Sequence, residues 1–444
     1  MLELRKDMTQ YSFMQMSTKQ TAAIVAIISG ISIILFVQQM TFDDNRLPEP
    51  KPWKIKSQDF FRNGSYKKET AIKEDSVPER CLTNNAVLSD IWQQEQCRRI
   101  KYFRGKCQKY KLQGNYNISS WVYVYYSKKY KLAFRPIPKI GSTFMSQVMS
   151  LLTNTSNEQI FMKARSDVHD MKLNLKRKFA FERFLDFTVL IIARNPYSRI
   201  YSAYVDKVYI VSSLPLCMDI NSKLFNRNNN TLLCKFDISF EEFLNYLFHT
   251  DKPVLRDHYE PIMTLSYGKQ MCNHLNIQIV KQETFSEDVD HALKSVYVRG
   301  PVYDVIYEEM NSKHTESTIG SIVKTVHRKF YSNVQSNSCL SWKDMAVKLW
   351  KSFQIQGYIH ESSKFPETKF KNETDYKSSN LIQVMLQEIQ SRPLKHREKV
   401  EQRNKALINA YKSVDKKYIR QIRERYAMDF DMFHYSTDVE ISVT

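Results

Sequence analysis

The chain has 444 residues, of which 42% are hydrophobic and 13% aromatic, so a largely disordered protein is excluded. This length accommodates one large domain or two ordinary ones. The 66 basic and 47 acidic residues give a formal net charge of +19, which favours an anionic partner over a merely soluble basic surface. Nucleic acid, anionic lipid and an anionic substrate or cofactor all meet that description.

The first predicted element is an N-terminal membrane anchor. Residues 21–40 begin with TAAIVAIISGISIILFV, and the segment between Lys19 and Asp43 carries no charge. The segment reaches the ~20 residues that a bilayer core requires. A cleaved signal peptide and a buried core helix are the alternatives, but the following QQMTF lacks the small-x-small pattern of a cleavage site. We therefore expect residues 1–20 to be a cytosolic tail and residues 21–40 an uncleaved signal anchor.

Residues 41–80 combine many charges and several prolines with few apolar residues, which is typical of a stem. Basic residues flank the anchor almost equally, so the positive-inside rule does not set its orientation. Glycosylation sequons follow the anchor and none precedes it, which favours a lumenal domain over residues 81–436. These Asn-x-Ser/Thr sites are Asn63, Asn117, Asn154, Asn229 and Asn372.

Seven cysteines permit up to three disulfides with one thiol left over. Their wide spacing contains no CxxC pair, which favours disulfides or buried thiols over a zinc site. Cys217 and Cys234 bracket a polar, Asn-rich loop, and we predict a disulfide between them. The remaining five are Cys81, Cys97, Cys107, Cys272 and Cys339.

Two strand–loop–helix segments predict an α/β fold with a central parallel sheet flanked by helices. The first has a short strand at residues 132–134, a Pro/Gly loop and a helix over residues 142–152. The second has a β-branched, apolar strand over residues 187–193, followed directly by another helix. Residues 381–426 have a helical pattern that breaks at Pro393. In parallel sheets, ligands bind at the carboxyl ends of the strands, where both segments carry polar motifs.

The loop after the first strand has the parts of an anion-binding site. Gly141 allows a sharp turn, and we expect Ser142 and Thr143 to cap the helix and offer hydroxyls. The helix N-terminus adds free N–H groups, and Lys139 adds a full positive charge. The GxxxxGK[ST] pattern is absent, which disfavours ATPase or kinase chemistry. On its own, the loop is equally consistent with a plain turn before a capped helix.

The second motif begins with Arg194, which ends the buried strand, and continues with Arg199 and Ser202 on the following helix. An arginine at a strand end suits a phosphate because the guanidinium is always charged and binds in a bidentate manner. Ser202 would supply a second donor. Taken alone, the motif also describes a surface arginine and a small residue that faces the core.

Together the two motifs resemble those of Golgi carbohydrate sulfotransferases, which use 3′-phosphoadenosine 5′-phosphosulfate (PAPS). PIPKIGSTF at 136–144 resembles their 5′-phosphosulfate loop, and IIARNPYSRIYSAYVDKV at 191–208 resembles their 3′-phosphate motif. The most similar branch is the chondroitin, dermatan and HNK-1 type. Further similar segments are ISFEEFLNYL at 238–247, DHYEPI at 257–262, VKQETFSEDV at 280–289 and RYAMDFDMFHY at 425–435.

The resemblance implies a P-loop-like sulfotransferase fold that transfers sulfate from PAPS to an anionic glycan, without a metal or nucleic acid. It also implies a single-pass type II protein of the Golgi membrane. Lys139 would in addition neutralise charge on the bridging oxygen during transfer. The implied donor-binding residues are Lys139, Ile140, Gly141, Ser142 and Thr143 for the 5′-phosphosulfate, and Arg194, Arg199 and Ser202 for the 3′-phosphate.

The sequence also departs from the family pattern. Tyr259 replaces the usual tryptophan of a His-Trp-x-Pro segment, and Arg135 and Ser142 stand where that branch commonly has cysteines. Cys272 is what remains of a paired-cysteine segment, and residues 290–380 look expanded. These departures bear on disulfide pattern and acceptor specificity more than on use of the donor.

A base must accept the proton of the glycan hydroxyl. His258 is the candidate, because histidine titrates in the useful range and Asp257 or Glu260 lies close enough in sequence to orient it. A structural histidine in the core is the alternative interpretation. Glu260 is the second candidate base.

Two other functions fit parts of the sequence. Asp429-Phe430-Asp431 matches the DxD pattern of metal-dependent glycosyltransferases, although three-residue patterns arise readily by chance. A non-catalytic lumenal glycan-binding protein that retains the fold is the second alternative. The intact Lys139, Arg194 and Ser202 favour the enzyme.

Overall fold

The computed structural model describes most of the chain after residue 90. The described residues are Cys81, 91–112, 122–154, 156–170, 177–179, 186–225, 237–264, 271–272, 274, 276–334 and 341–440. The predicted tail, anchor and stem lie outside them. Within the described ranges, no helix is both long enough and apolar enough to cross a membrane.

A five-stranded mixed sheet forms the centre of the fold, in the order β3-β1-β2-β4-β5. Strand β4 pairs in parallel with β2 and β5, whereas β1 is antiparallel to β2 and to β3. The parallel half of the sheet confirms the predicted α/β class, and the antiparallel strands β1 and β3 were not predicted. The strands are β1 (Val122–Ser127), β2 (Leu132–Phe134), β3 (Arg177–Phe179), β4 (Thr188–Ala193) and β5 (Ile277–Lys281).

The helices surround this sheet and make up the C-terminal half of the described chain. Short 3₁₀ and π segments connect several of them. The helices are α1 (Ile91–Lys109), α2 (Ser142–Leu152), α3 (Arg165–Asp170), α4 (Pro196–Ala203), α5 (Leu214–Phe225), α6 (Phe240–His249), α7 (Phe285–Ser295), α8 (Pro301–Glu308), α9 (His314–Val334), α10 (Trp342–Ile355), α11 (Ser378–Ser391), α12 (His396–Lys412), α13 (Lys416–Arg425) and α14 (Ala427–Met432).

Both predicted strand–loop–helix segments are confirmed. All six residues of β4 are buried, as expected for a β-branched strand that is covered on both faces. Helix α4 begins directly afterwards, because Pro196 suits the first helical position and the Asn195 side chain accepts the Tyr197 N–H at 2.9 Å. The predicted C-terminal helices and their break near Pro393 are also present.

Three apolar clusters stabilise these elements. The first lies around the sheet and α2, and the second joins α4 and α6 to the C-terminal helices α12–α14. The third joins α9, α10 and α11, and it lies in the region where the sequence departs from the family pattern. Since the second cluster includes α4, the C-terminal helices support the segment that follows β4.

Two disulfides lie within the described ranges, Cys81–Cys97 and Cys107–Cys272, whereas Cys234 and Cys339 lie outside them. The predicted Cys217–Cys234 disulfide is wrong, because Cys217 is a free, buried thiol. Its sulfur lies 3.8 Å from the Lys207 carbonyl, and burial raises its pKa to about 12. Cys217 therefore packs as a small apolar residue of the second cluster.

Candidate active site

The loop between β2 and α2 is shaped by two residues with positive φ, Lys139 at 69° and Gly141 at 88°. A Cβ atom on Gly141 would lie 2.7 Å from the Phe285 ring, so both the backbone angle and the close packing require glycine. Gly141 is also the N-cap of α2, and no side chain caps this helix. The prediction that Ser142 and Thr143 cap it is therefore wrong.

Even without a side-chain cap, the start of α2 is suited to an anion. The first N–H groups of a helix have no intrahelical acceptor, and they carry partial positive charge. Ser142 is buried, and its carbonyl accepts the Ser146 hydroxyl at 2.8 Å. Thr143 is half-buried, whereas Ile140 is buried and ties the loop to the first apolar cluster.

Lys139 belongs to a compact group of charges that we call the Asp206 cluster: Asp206 with Lys139, Arg165 and Lys207. The Asp206 carboxylate lies 2.7 Å from Lys139 Nζ and 3.3 Å from both Arg165 Nη1 and Lys207 Nζ. Asp206 and Lys207 lie on a π-helical turn, Tyr204–Tyr209, that continues α4. Such π turns occur frequently at functional sites.

Three cations therefore share one carboxylate in a place with little access to solvent. Only 12% of the Lys139 side chain and 15% of the Asp206 side chain are exposed. Burial, together with the charges of Arg165 and Lys207, lowers the pKa of Lys139 to about 7 despite the attraction of Asp206. Although burial opposes it, these same cations hold the pKa of Asp206 well below its ordinary value. The cluster has an uncompensated positive charge that a bound anion would neutralise.

Arg194, at the carboxyl end of β4, joins the two sequence motifs. Its Nη1 donates to the Lys139 carbonyl at 2.9 Å, and its Nε donates to Ser198 Oγ at 2.9 Å. Burial lowers the pKa of this half-buried guanidinium to about 10, so it stays charged at neutral pH. Ser202 is half-buried one turn beyond Ser198, and the spacing places both hydroxyls on one face of α4.

Arg199 differs from Arg194, because it is 1% exposed and each of its three nitrogens donates to a backbone carbonyl. The acceptors are Pro138 at 3.2 Å, Asp257 at 2.8 Å and Glu260. We call this arrangement the Arg199 anchor. It joins the Lys139 loop to the His258 segment, and because all three nitrogens donate to carbonyls, the guanidinium is better placed to hold these segments together than to bind a phosphate.

His258 lies at the end of a short 3₁₀ turn, Arg256–His258, with its Nδ1 2.9 Å from Asp257 Oδ1. Burial and the nearby charges of Lys207 and Lys139 lower its pKa below the ordinary 6.5, although Asp257 opposes this shift. The carboxylate accepts only, so we assign the proton to Nδ1, which leaves Nε2 as an acceptor. A neutral imidazole oriented in this way has the properties of a general base.

Glu260, the second candidate base, is engaged in two ion pairs. Its carboxylate lies 2.7 Å from Arg256 Nε and 2.8 Å from Arg425 Nη2, and only 7% of the side chain is exposed. Although burial opposes it, the two arginines hold the pKa of Glu260 below its ordinary range. The residue therefore acts as an ion-pair partner that fixes the C-terminal helices against the His258 segment.

Comparison with known protein families identifies the chain. A model of the sulfotransferase family matches residues 123–352, about half of the sequence. The chain belongs to the sulfotransferase family. Neither the curated proteins nor the solved structures gave a significant match.

Members of the sulfotransferase family are transferases that take sulfate from PAPS. The matched region of this sulfotransferase includes both motifs, the Asp206 cluster and His258. Within the described ranges, no group of three or more His, Cys, Asp or Glu side chains is arranged to hold a metal ion.

The two aspartates of the DxD pattern point to different partners in this sulfotransferase. Asp429 accepts the backbone N–H groups of Ile262 and Met263 at 2.6 and 2.8 Å. Asp431 instead forms ion pairs with Lys106 and Lys109 on α1. Both carboxylates therefore connect the C-terminal segment to the rest of the domain.

Four residues of the site were not identified from the sequence: Arg165, Ser198, Asp206 and Lys207. Ser198, Asp206 and Lys207 lie within the quoted second motif, so their spacing from Arg194 was the available signal. Arg165 lies outside both motifs, and only the tertiary contact of α3 with the π-helical turn places it beside Asp206.

Proposed function

We propose that this protein transfers the sulfuryl group of PAPS to a hydroxyl of an anionic glycan in the Golgi lumen. The observation that carries the proposal is the hydrogen bond from Arg194 to the Lys139 carbonyl, which joins two distant motifs into one positively charged site. The sulfotransferase family supports the reaction, and the glycan acceptor and compartment are part of the proposal.

The residues present fit a donor with two anionic ends. The Asp206 cluster offers excess positive charge beside the N-terminus of α2, where Gly141, Ser142 and Thr143 would receive the 5′-phosphosulfate. Arg194 and Ser202, together with Ser198, would hold the 3′-phosphate. Ile140 and the Arg199 anchor would position these groups without touching the donor.

When bound, PAPS supplies the sulfuryl group and an adenosine bisphosphate leaving group. Lys139 would supply positive charge near the bridging oxygen, where negative charge grows as the bond breaks. His258 would accept the proton of the glycan hydroxyl at Nε2, while Asp257 holds Nδ1–H. These side chains act through positioning and electrostatics, and covalent catalysis is not required.

The glycan acceptor and the compartment rest on other features. A net charge of +19 suits an anionic polysaccharide, and the apolar segment at 21–40 suits a type II signal anchor. The two disulfides favour an oxidising compartment such as the secretory lumen. Asn154 and Asn372 are exposed, as glycosylated asparagines must be.

The test is a labelled-PAPS assay with the full-length protein against desulfated chondroitin, dermatan, heparosan and N-glycan acceptors. We expect label on at least one polymer, with chondroitin or dermatan GalNAc as the first candidate, and digestion to disaccharides would locate it. Binding of adenosine 3′,5′-bisphosphate without transfer to any acceptor would instead support a non-catalytic glycan-binding protein. Neither binding nor transfer would refute the proposal.

A further inference from the structure

A second cleft lies beside the Asp206 cluster, between the segment that leads into α3 and the long helix α9. Its volume is about 570 Å³, within the ~300–1,000 Å³ of ligand-binding clefts. One wall belongs to α9 and α11, in the region where the sequence departs from the family pattern. The lining residues are Met162, Lys163, Ala164, Asp167, Lys324, His327, Arg328 and Ser378.

The cleft is basic, because Lys163, Lys324 and Arg328 face the single carboxylate of Asp167. Arg328 forms a bidentate ion pair with Asp167, with one N–O distance of 3.1 Å. Lys324 Nζ donates to the Met162 carbonyl at 3.0 Å, and Lys163 is exposed. Asp167 neutralises the charge of Arg328, so the positive charges of Lys163 and Lys324 remain to attract an anion.

The cleft also has neutral polar groups of the kind that bind sugar hydroxyls. His327 lies against the Trp342 ring at a centroid distance of 4.9 Å, which fixes its orientation. Burial lowers the pKa of His327, so its imidazole is neutral at neutral pH. Ser378, at the start of α11, adds a hydroxyl. Anionic groups and hydroxyls occur together in acidic polysaccharides.

Arg165 connects this cleft to the catalytic centre. It lies in sequence between Ala164 and Asp167, and its backbone N–H donates to Thr325 Oγ1 of α9 at 2.8 Å. Its guanidinium reaches Asp206, the partner of Lys139. A single arginine side chain therefore spans the distance from the cleft to the group of charges at the proposed donor site.

We propose that this cleft binds anionic sugars of the acceptor glycan that lie beyond the sugar being sulfated. The inference rests on the proposed glycan acceptor and assigns the expanded region a role in acceptor binding. A polymer held by Lys163 and Lys324 would extend past Arg165 toward His258. Short acceptors that do not reach the cleft would gain nothing from it.

The test compares full-length wild-type protein with a Lys163→Ala/Lys324→Ala variant. A Lys101→Ala/Lys128→Ala control removes the same charge from exposed lysines that do not line the cleft. Binding of fluorescently labelled desulfated chondroitin and heparosan is measured, together with the affinity for adenosine 3′,5′-bisphosphate. We expect the cleft variant to bind the preferred polymer about tenfold more weakly, with unchanged nucleotide affinity and an unchanged control.

Sulfate transfer provides the second measurement. We expect the cleft variant to raise KM for the polymer and leave kcat and the KM for a tetrasaccharide unchanged. Equal polymer affinity in the cleft variant and wild type, an equal loss in the control, or no polymer binding by wild type would overturn the inference. Polymer binding that depends on the cleft, without transfer by wild type, would support the cleft and refute the proposed reaction.

Discussion

Arg194 and Arg199 lie five residues apart on the same strand–helix segment, yet their surroundings differ. Every nitrogen of Arg199 donates to a backbone carbonyl, and the side chain is buried. Arg194 is half-buried, and within the described part of the chain only its Nε and Nη1 have acceptors. An arginine whose three nitrogens all donate to backbone carbonyls stabilises the fold, whereas one with a nitrogen left without an acceptor can bind a ligand.

The distinction between a cation that stabilises the fold and one that can bind a ligand also applies to Lys139 in the Asp206 cluster. Lys139 shares its carboxylate with two other cations, and burial together with the charges of Arg165 and Lys207 lowers its pKa. The Arg199 guanidinium is instead held by the backbone carbonyls of Pro138, Asp257 and Glu260.

His258 receives its backbone position from the Arg199 anchor and its electrostatic environment from the Asp206 cluster. We expect His258→Gln to lower turnover about 10²–10⁴-fold with unchanged nucleotide affinity, because the variant cannot accept the hydroxyl proton. The neutral imidazole is the active form and its pKa in the free protein is lowered, so the fall of wild-type kcat/KM at acidic pH should begin below pH 6.5. Steady-state pH profiles would check both effects.

The control is His249→Gln, at an exposed position at the end of α6. Its turnover should equal that of wild type. If His258→Gln kept near wild-type turnover and still lost activity at acidic pH as wild type does, His258 would be excluded as the base.

Lys139→Ala should lower turnover about 10²–10³-fold, the usual cost of one lost electrostatic contact to the transition state. The fold should persist, because Arg165 and Lys207 still pair with Asp206. Transfer from labelled PAPS and thermal denaturation would measure the two quantities. Lys131→Ala, an exposed lysine just before β2, is the matched control and should leave both unchanged. Unimpaired turnover in Lys139→Ala would remove the loop from the mechanism.

Arg199→Met and Arg194→Met are a matched pair that tests whether Arg199 stabilises the fold and Arg194 binds the donor. Removal of Arg199 leaves buried carbonyls without donors, so we expect a loss of about 3 kcal/mol in unfolding free energy. Removal of Arg194 should instead weaken nucleotide binding and change the unfolding free energy little. Denaturant unfolding and calorimetric titration would measure these effects. The reverse pattern would show that the two arginines have been assigned the wrong roles.

Local signals explain what the sequence predicted correctly. The β-branched run of β4 and the Asn195-Pro196 start of α4 are encoded within a few neighbouring residues. The His258–Asp257 pair was also found, because its members are adjacent in sequence. Lys139 and Arg194 were singled out separately as polar residues at strand ends, and the structure joins them by a hydrogen bond although 55 positions separate them.

Contacts between distant segments explain what was missed. Strands β1 and β3 pair through residues 53 to 57 positions apart, and the Cys107–Cys272 disulfide spans 165 positions. Nothing local to Arg199 indicates that carbonyls will occupy its nitrogens, and the second arginine that pairs with Glu260, Arg425, comes from a distant helix. The surplus charge around Asp206 likewise depends on Arg165, which folding brings from outside both motifs.

The most direct test of the donor site is calorimetric titration of the full-length protein with adenosine 3′,5′-bisphosphate between pH 6 and 9. The charged lysine binds the anion and its pKa in the free protein is about 7, so affinity should fall above that pH, by at most about tenfold per unit. In Lys139→Arg, whose side chain stays charged, this fall should disappear. Identical pH profiles for wild type, Lys139→Arg and Lys139→Ala would contradict the assignment of the Asp206 cluster as the donor site.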